Sequence, residues 1–346
     1  MKALRLLEAQ NVEVLDIDKP EPEHGEVLVQ TRAAFICGTD VRAYKHGLPV
    51  LKERGPITLG HEIAGVVASV GDGVNAYATG DRVAVAPNYG CGVCDMCVSG
   101  NTQLCATYRA VGVHEDGGFA PFVRVPAAAV RQGNVVTLPE NVSFVEGALA
   151  EPLSCVYNAF ERAHFGPGET VVVFGAGPIG LMHARMHLGA GAAAVIVADL
   201  KPERLAECSK REPSLETVEV SALHDVVMDR TRGRGADVCI TAAPAKEAQA
   251  QALELAAVNG RVVFFGGLPK NDPETTLNTN LVHYRQLYVT GTTRQSLRQY
   301  RKTIELLDQK MMKVEDIVTA QFPLEEGQKA FESAVNGNGL KTGFEL

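Results

Sequence analysis

Thr170-Val171-Val172-Val173-Phe174-Gly175-Ala176-Gly177-Pro178-Ile179-Gly180 is the stretch whose reading decides the fold. A β-branched run ends in three glycines at G-x-G-x-x-G spacing, and an apolar, helix-compatible run from Leu181 to Leu188 follows. The first glycine permits a tight turn, the second lets the backbone approach a pyrophosphate, and the third lets the helix pack on its strand. The free N–H groups and positive dipole end of the new helix then face the phosphates. Pro178 and Ile179 sit at the start of that helix and join Gly175, Gly177 and Gly180 as candidate cofactor contacts.

A glycine triplet alone is weak, because glycine-rich turns are common. Here a second apolar strand, Ala194-Val195-Ile196-Val197-Ala198, ends in Asp199, nineteen residues beyond Gly180. An acidic side chain at that point takes the ribose hydroxyls of NAD and repels the 2′-phosphate of NADP. Lys201 and Arg204 follow closely, and Arg204 is a further cofactor-contact candidate. Pro202 is predicted near the first turn of the next helix. The segment reads as an NAD site.

The chain around it has 346 residues, 46% hydrophobic and 21% charged, with 34 glycines and a formal net charge of −8. This is the balance of an ordinary globular protein, long enough for two domains with separate cores. The negative charge argues against nucleic acid or an anionic membrane as the main partner. No stretch approaches 18 uninterrupted apolar residues. Met1-Lys2-Ala3-Leu4-Arg5 does not open a signal peptide, so a cytoplasmic location is expected. In that reducing compartment, eight cysteines point to metal or catalysis before disulfides.

From residue 1 to about 35 the pattern alternates as strands, with a turn-rich Lys19–Gly25 segment. The glycine turns and short strands on to Val85 suggest a compact, mostly β, barrel-like unit. Arg42 to Pro56 reads as a polar loop, 117 to 138 as strands, and Phe144 to Ala163 as a helix leading onward. Beyond Asp199 the pattern keeps alternating. Helix is predicted over 202–210 and 246–258, and strand over 237–240, 261–265 and 287–291. Such alternation implies α/β architecture with a doubly wound parallel sheet. Helices are expected again over 295–307 and 324–336. The expected division is 1–150 with 296–346 as one domain and 151–295 as the dinucleotide-binding domain.

Cys91, Cys94, Cys97 and Cys105 follow C-x-x-C-x-x-C-x7-C. Tetrahedral zinc wants four thiolates, and two-residue gaps let one loop wrap the ion. A redox pair or an iron–sulfur site is the weaker alternative. With no open position, this zinc is structural. Cys37, His61 and Glu62 each have an ordinary reading taken singly: a small buried thiol, a satisfied core histidine, a solvated charge.

Their contexts change the weighing. Cys37-Gly38-Thr39-Asp40, Gly60-His61-Glu62 with Gly65, the four-cysteine loop and the Gly175 fingerprint occur in this order. Together they resemble the zinc-dependent medium-chain alcohol dehydrogenase family over essentially the whole chain. The resemblance implies a GroES-like catalytic domain beside a Rossmann domain. It also implies a catalytic zinc on Cys37 and His61, with Glu62 a ligand or near-ligand, and Thr39 passing on the substrate proton. Classical members carry a third cysteine ligand where this chain has Ala150-Glu151-Pro152-Leu153. Glu151 takes that place, as in the sorbitol (L-iditol) and threonine dehydrogenase branch. Cys155 does not match the motif and reads as core. The choice between Glu62 and Glu151 as the direct ligand stays open.

Arg294 lies where sorbitol-type enzymes carry a pocket arginine, which supports a polyhydroxylated substrate, since a guanidinium fork binds several oxygens. The ordinary reading is a surface salt bridge. Arg42, Tyr44, Lys45, His46, Lys52 and Arg54 depart from the sorbitol pattern and make a phosphorylated polyol an alternative. The expected activity is zinc-dependent hydride transfer from a secondary alcohol of a sugar alcohol to NAD, giving a ketose. An L-threonine-type dehydrogenase and a catalytically silent NAD-binding protein are the rivals. The resemblance also suggests a homo-oligomer, tetramer or dimer.

Overall fold

The structure, a computed structural model, describes residues 1–346. The chain divides into two compact units, Met1–Ser154 with Arg294–Leu346, and Cys155–Thr293. The dividing point falls inside the long helix Phe144–Arg162. No helix is long and apolar enough to cross a membrane.

The central unit is a six-stranded sheet in the order Glu216–Glu219, Ala194–Asp199, Thr170–Phe174, Ala236–Thr241, Ala256–Phe264, Tyr288–Gly291. Every pairing in it is parallel. The β-branched runs seen in the sequence are its buried middle strands, with Val172, Ile196, Cys239 and Val262 wholly enclosed. Near-continuous apolar strands are what a parallel sheet covered by helices requires. The helix expected over 246–258 stops at Leu255, because Ala256 turns extended and pairs with Ala236. Asn259, with φ of 60°, then turns within the strand Ala256–Phe264.

The other unit is built on a seven-stranded sheet in which Val27–Phe35 pairs with Glu62–Val70, Phe122–Val125 and Lys341–Glu345. Its core is a valine-rich cluster including Val27, Val29, Val67, Val83, Val123 and Val135. A Cβ at Gly65 would stand 1.9 Å from the Gln30 carbonyl oxygen, so only glycine allows these strands to close.

Two segments differ from the sequence reading. The polar 42–56 loop contains the helices Gly38–His46 and Val50–Arg54, with Ala43, Tyr44 and Val50 turned into the core. Within the 117–138 strand region lies the helix Ala127–Gln132, bounded by Pro126 and a left-handed Gly133. Both boundary signals are ordinary helix start and stop residues, overridden in the reading by the valine-rich flanks.

The fingerprint helix Pro178–Gly189 buries two histidines one turn apart, His183 and His187. His187 lies edge-on to Phe160 and Phe165, and His183 edge-on to Phe265. Burial lowers the pKa of both, that of His187 to about 4. A depressed folded-state value means stability is complete above the unfolded value of about 6.5 and is lost as pH falls toward 4. For His187 this amounts to about 3 kcal/mol. We expect the melting temperature to fall steadily from pH 6.5 to 4, and His187→Phe to flatten that limb. An unchanged acid limb in the variant contradicts the assignment.

Candidate metal centre and cofactor site

Three segments of the first unit converge on one point. Cys37 follows the strand Val27–Phe35 and precedes the helix Gly38–His46. His61 and Glu62 open the strand Glu62–Val70, and Glu151 lies in the helix Phe144–Arg162. One ligand-capable atom from each of Cys37, His61, Glu62 and Glu151 lies within 4.8 Å of the others. His61, Glu62 and Glu151 are buried.

Asp40, which the sequence reading left without a role, holds this arrangement together. Its Oδ2 accepts the Cys37 N–H at 2.8 Å and its Oδ1 accepts the Gly60 N–H at 3.4 Å. The same carboxylate lies 3.3 Å from His61 Nδ1. A carboxylate on one ring nitrogen fixes the ring and leaves the other for a metal. Burial works against a charged imidazole, but Asp40 and Cys37 outweigh it and raise the His61 pKa well above its ordinary value.

Lys341 is the second residue that the sequence did not point to. Phe35 pairs with Glu62 on one side and Gly343 on the other, and this register brings the C-terminal strand alongside Glu62. Lys341 Nζ then donates to Glu62 Oε1 at 2.5 Å, both side chains buried. Burial raises the pKa of Glu62 and of Glu151. Glu62 Oε2 is buried without a hydrogen-bond partner. A thiol, an imidazole and two buried carboxylates around one point, with one carboxylate oxygen unsatisfied, fit a zinc ion.

Thr39 is half-buried on the first turn beyond Cys37, and its Oγ1 accepts a hydrogen bond from Arg42 at 3.0 Å. Arg294 donates from Nη1 to the Gln103 carbonyl at 2.8 Å, and its guanidinium carbon lies 3.6 Å from the centre of the Tyr108 ring. Next to it, Gln295 Nε2 donates to Glu151 Oε1 at 3.2 Å.

Cys91, Cys94, Cys97 and Cys105 form the second cluster, again with one atom from each within 4.8 Å. All eight cysteines are free thiols. Cys91 Sγ accepts the Cys94 N–H and Cys105 Sγ the Cys91 N–H, both at 3.4 Å. The Thr107 hydroxyl and the Cys91 amide pull the Cys105 thiol down to about 6, which favours the thiolate a metal needs. Four sulfurs around one point, two of them with backbone donors aimed at them, fit a closed tetrahedral zinc.

In the central unit, Gly177 caps the helix Pro178–Gly189, with Pro178 at its first position. Gly175 has φ of 113°, and a Cβ on Gly180 would lie 1.8 Å from the Gly175 carbonyl oxygen. Ile179 lies in the first turn and Arg204 in the helix Pro202–Arg211. Asp199 ends the second strand. Its Oδ2 accepts the Ala176 N–H at 2.8 Å and its Oδ1 the Lys201 N–H at 3.0 Å. The acidic residue therefore also braces the glycine turn.

The family model for the alcohol dehydrogenase GroES-like domain matches residues 23–140, and that for zinc-binding dehydrogenase matches 178–309. The sorbitol dehydrogenase of Bacillus subtilis is 32% identical over 340 residues, covering 97% of this chain and 94% of that one. The chain belongs to the zinc-dependent medium-chain dehydrogenases. Among solved medium-chain dehydrogenases, a zinc-binding dehydrogenase of Sinorhizobium meliloti with bound NADP superposes with a TM-score of 0.89. It is 30% identical, with 100% of this chain and 99% of that one covered. Galactitol-1-phosphate dehydrogenase of Escherichia coli superposes with a TM-score of 0.87 at 25% identity, both chains covered completely. Membership of this zinc-dependent family accounts for both clusters and for the glycine fingerprint in one chain.

Proposed function

We propose that this chain is an NAD-linked, zinc-dependent polyol dehydrogenase that oxidises a secondary alcohol of a free sugar alcohol to a ketose. The observation that carries the reading is Glu151 in one buried cluster with Cys37, His61 and Glu62. That carboxylate-bearing set fits the sorbitol and threonine dehydrogenase branch, and within it the similar Bacillus subtilis chain, a sorbitol dehydrogenase, favours a polyol.

Cys37, His61 and Glu151, with Glu62, hold the catalytic zinc. When bound, it supplies a Lewis acid that makes an alcohol proton easier to lose. NAD, held by Gly175, Gly177, Pro178, Ile179, Gly180, Asp199 and Arg204, supplies the hydride acceptor. Asp40 keeps the His61 ring in place, and Lys341 balances one carboxylate so that the centre does not carry two uncompensated buried charges. Thr39 takes the alcohol proton. Arg42 already occupies one lone pair of its Oγ1, so the hydroxyl has one lone pair to accept with and one proton to pass on. Arg294 contacts the polyol hydroxyls, and Cys91, Cys94, Cys97 and Cys105 hold a structural zinc.

The test is NADH formation at 340 nm across free polyols, phosphorylated polyols, L-threonine and simple secondary alcohols. A free polyol as best substrate is expected, and a best activity on L-threonine overturns the reading. A phosphorylated polyol is the second reading, favoured by the exposed Arg42, Lys45, His46 and Lys52 of the two helices around the Thr39 segment.

Cofactor preference gives a sharper result. Asp199→Ala is expected to cut kcat/KM with NAD relative to NADP by about 100-fold, the worth of two hydrogen bonds to a charged group. An unchanged ratio removes Asp199 from the ribose site.

We also assign the chain to a homo-oligomer. The edge strand Tyr288–Gly291 leaves Tyr288 58% and Val289 38% exposed, and native sheets rarely leave such an edge bare. Light scattering is expected to give a multiple of the 36.9 kDa chain mass, and a monomer refutes this. The free thiols fit a reducing, cytoplasmic setting.

A further inference from the structure

Two consecutive residues join the four-cysteine lobe to the carboxylate of the metal centre. Arg294 has φ of 54°, a left-handed conformation that disfavours a residue with a side chain. Such a conformation persists where its surroundings over-determine it, and here both neighbours are anchored. Arg294 reaches the lobe through the Gln103 carbonyl and the Tyr108 ring. Gln295 is buried and reaches the other way, with Nε2 donating to Glu151 Oε1 at 3.2 Å. Its Oε1 accepts from Asn88 Nδ2, also at 3.2 Å.

Asn88 stands at the base of the lobe, three residues before Cys91. Its carbonyl accepts from Asn134 Nδ2 at 2.7 Å. Gly90 is clasped by Gln132, which accepts the Gly90 N–H at 3.2 Å and donates to its carbonyl at 2.7 Å. A carboxylate only accepts, so the Gln295 amide has one orientation that serves Glu151, and in it the amide oxygen faces the Asn88 donor. The lobe base and the Glu151 carboxylate therefore share one buried side chain.

We propose that Gln295 is a positioning residue that fixes the Glu151 carboxylate for the metal and, through Asn88, ties its position to the folded four-cysteine lobe. This rests on the reading of Cys37, His61, Glu62 and Glu151 as the zinc centre. Hydrogen-bond partners behind metal ligands matter for affinity or activity by about 10–100-fold. The cysteine lobe thus sets the geometry of the reaction centre as well as stapling its own loop.

The experiment uses the full chain loaded with zinc. Zinc content, the rate of zinc loss to a metallochromic chelator, kcat and KM are compared for the native chain, Gln295→Met, Gln295→Asn and Asn88→Leu. Methionine keeps the volume without the amide, and asparagine keeps the amide one methylene short. The native chain is expected to hold two zinc ions. Both Gln295 variants should release one of them about 10–100-fold faster, with kcat lowered and KM for NAD unchanged. Asn88→Leu, which does not touch Glu151, should accelerate the same release more weakly and add nothing on top of Gln295→Met. Release within twofold of native in the Gln295 variants overturns the proposal, even if their melting temperatures fall, since a merely structural amide lowers stability alone. A native chain holding only one zinc, unaffected by Cys37→Ala, instead refutes the zinc-centre reading itself.

Discussion

Cys37→Ala is expected to lower kcat/KM for polyol oxidation by at least about 10³–10⁴-fold, and zinc content from two ions per chain to one. The Lewis acid contributes several kcal/mol of transition-state stabilisation, and each 1.36 kcal/mol is tenfold in rate. Removing the thiolate leaves an imidazole and two carboxylates. The variant should still fold, because Cys37 is only half-buried and the Asp40 carboxylate is held by its backbone N–H, which the substitution keeps. The four-cysteine cluster keeps its own ion, so the retained zinc serves as an internal control. Native-like turnover in Cys37→Ala would remove that residue from the centre.

Lys341→Met is expected to destabilise the protein by about 3–5 kcal/mol at pH 8, the cost of leaving a buried carboxylate without its partner. Glu62 is wholly enclosed, and its Oε1 accepts from Lys341 at 2.5 Å. Burial already raises the Glu62 pKa against the pull of Lys341, and without the lysine it rises further. A carboxylate raised in the folded state contributes stability fully below its unfolded value of about 4.5, and loses it as pH rises through the folded value. The deficit measured by urea unfolding of metal-stripped protein should therefore be largest at pH 8 and shrink toward pH 5. A loss below about 1 kcal/mol at pH 8 would mean that a metal-free Glu62 is already neutral there.

The residues that bring chemistry were legible because their types are demanding. Thiolates at two-residue gaps suit a metal and little else in a reduced chain. Glycines stand where a Cβ would strike backbone, and a carboxylate closes the second apolar strand and braces the glycine turn. Local sequence carries each of these signals. Lys341 and Gln295 were not legible, because their roles come from what the fold brings beside them. Lys341 lies 279 residues from Glu62, and only the pairing of Phe35 with both strands joins them. Asp40 did carry a local signal, as an acidic residue three positions after Cys37 at a helix start, which a search for caps finds. The helix Ala127–Gln132 had its Pro126 and Gly133 boundaries in plain sight. Its short alanine-rich run was masked by valines belonging to the strands on either side. The contact of Arg294 with Gln103 and Tyr108 was not legible either, because it depends on a tertiary approach that no spacing encodes.

The most direct test of the zinc centre as the seat of polyol oxidation is NADH formation from the best free polyol before chelation, after chelation, and after zinc is returned. Activity is expected to be lost with the more labile of two zinc ions and to recover when one ion per chain is restored. Turnover that persists after that ion is gone would contradict this.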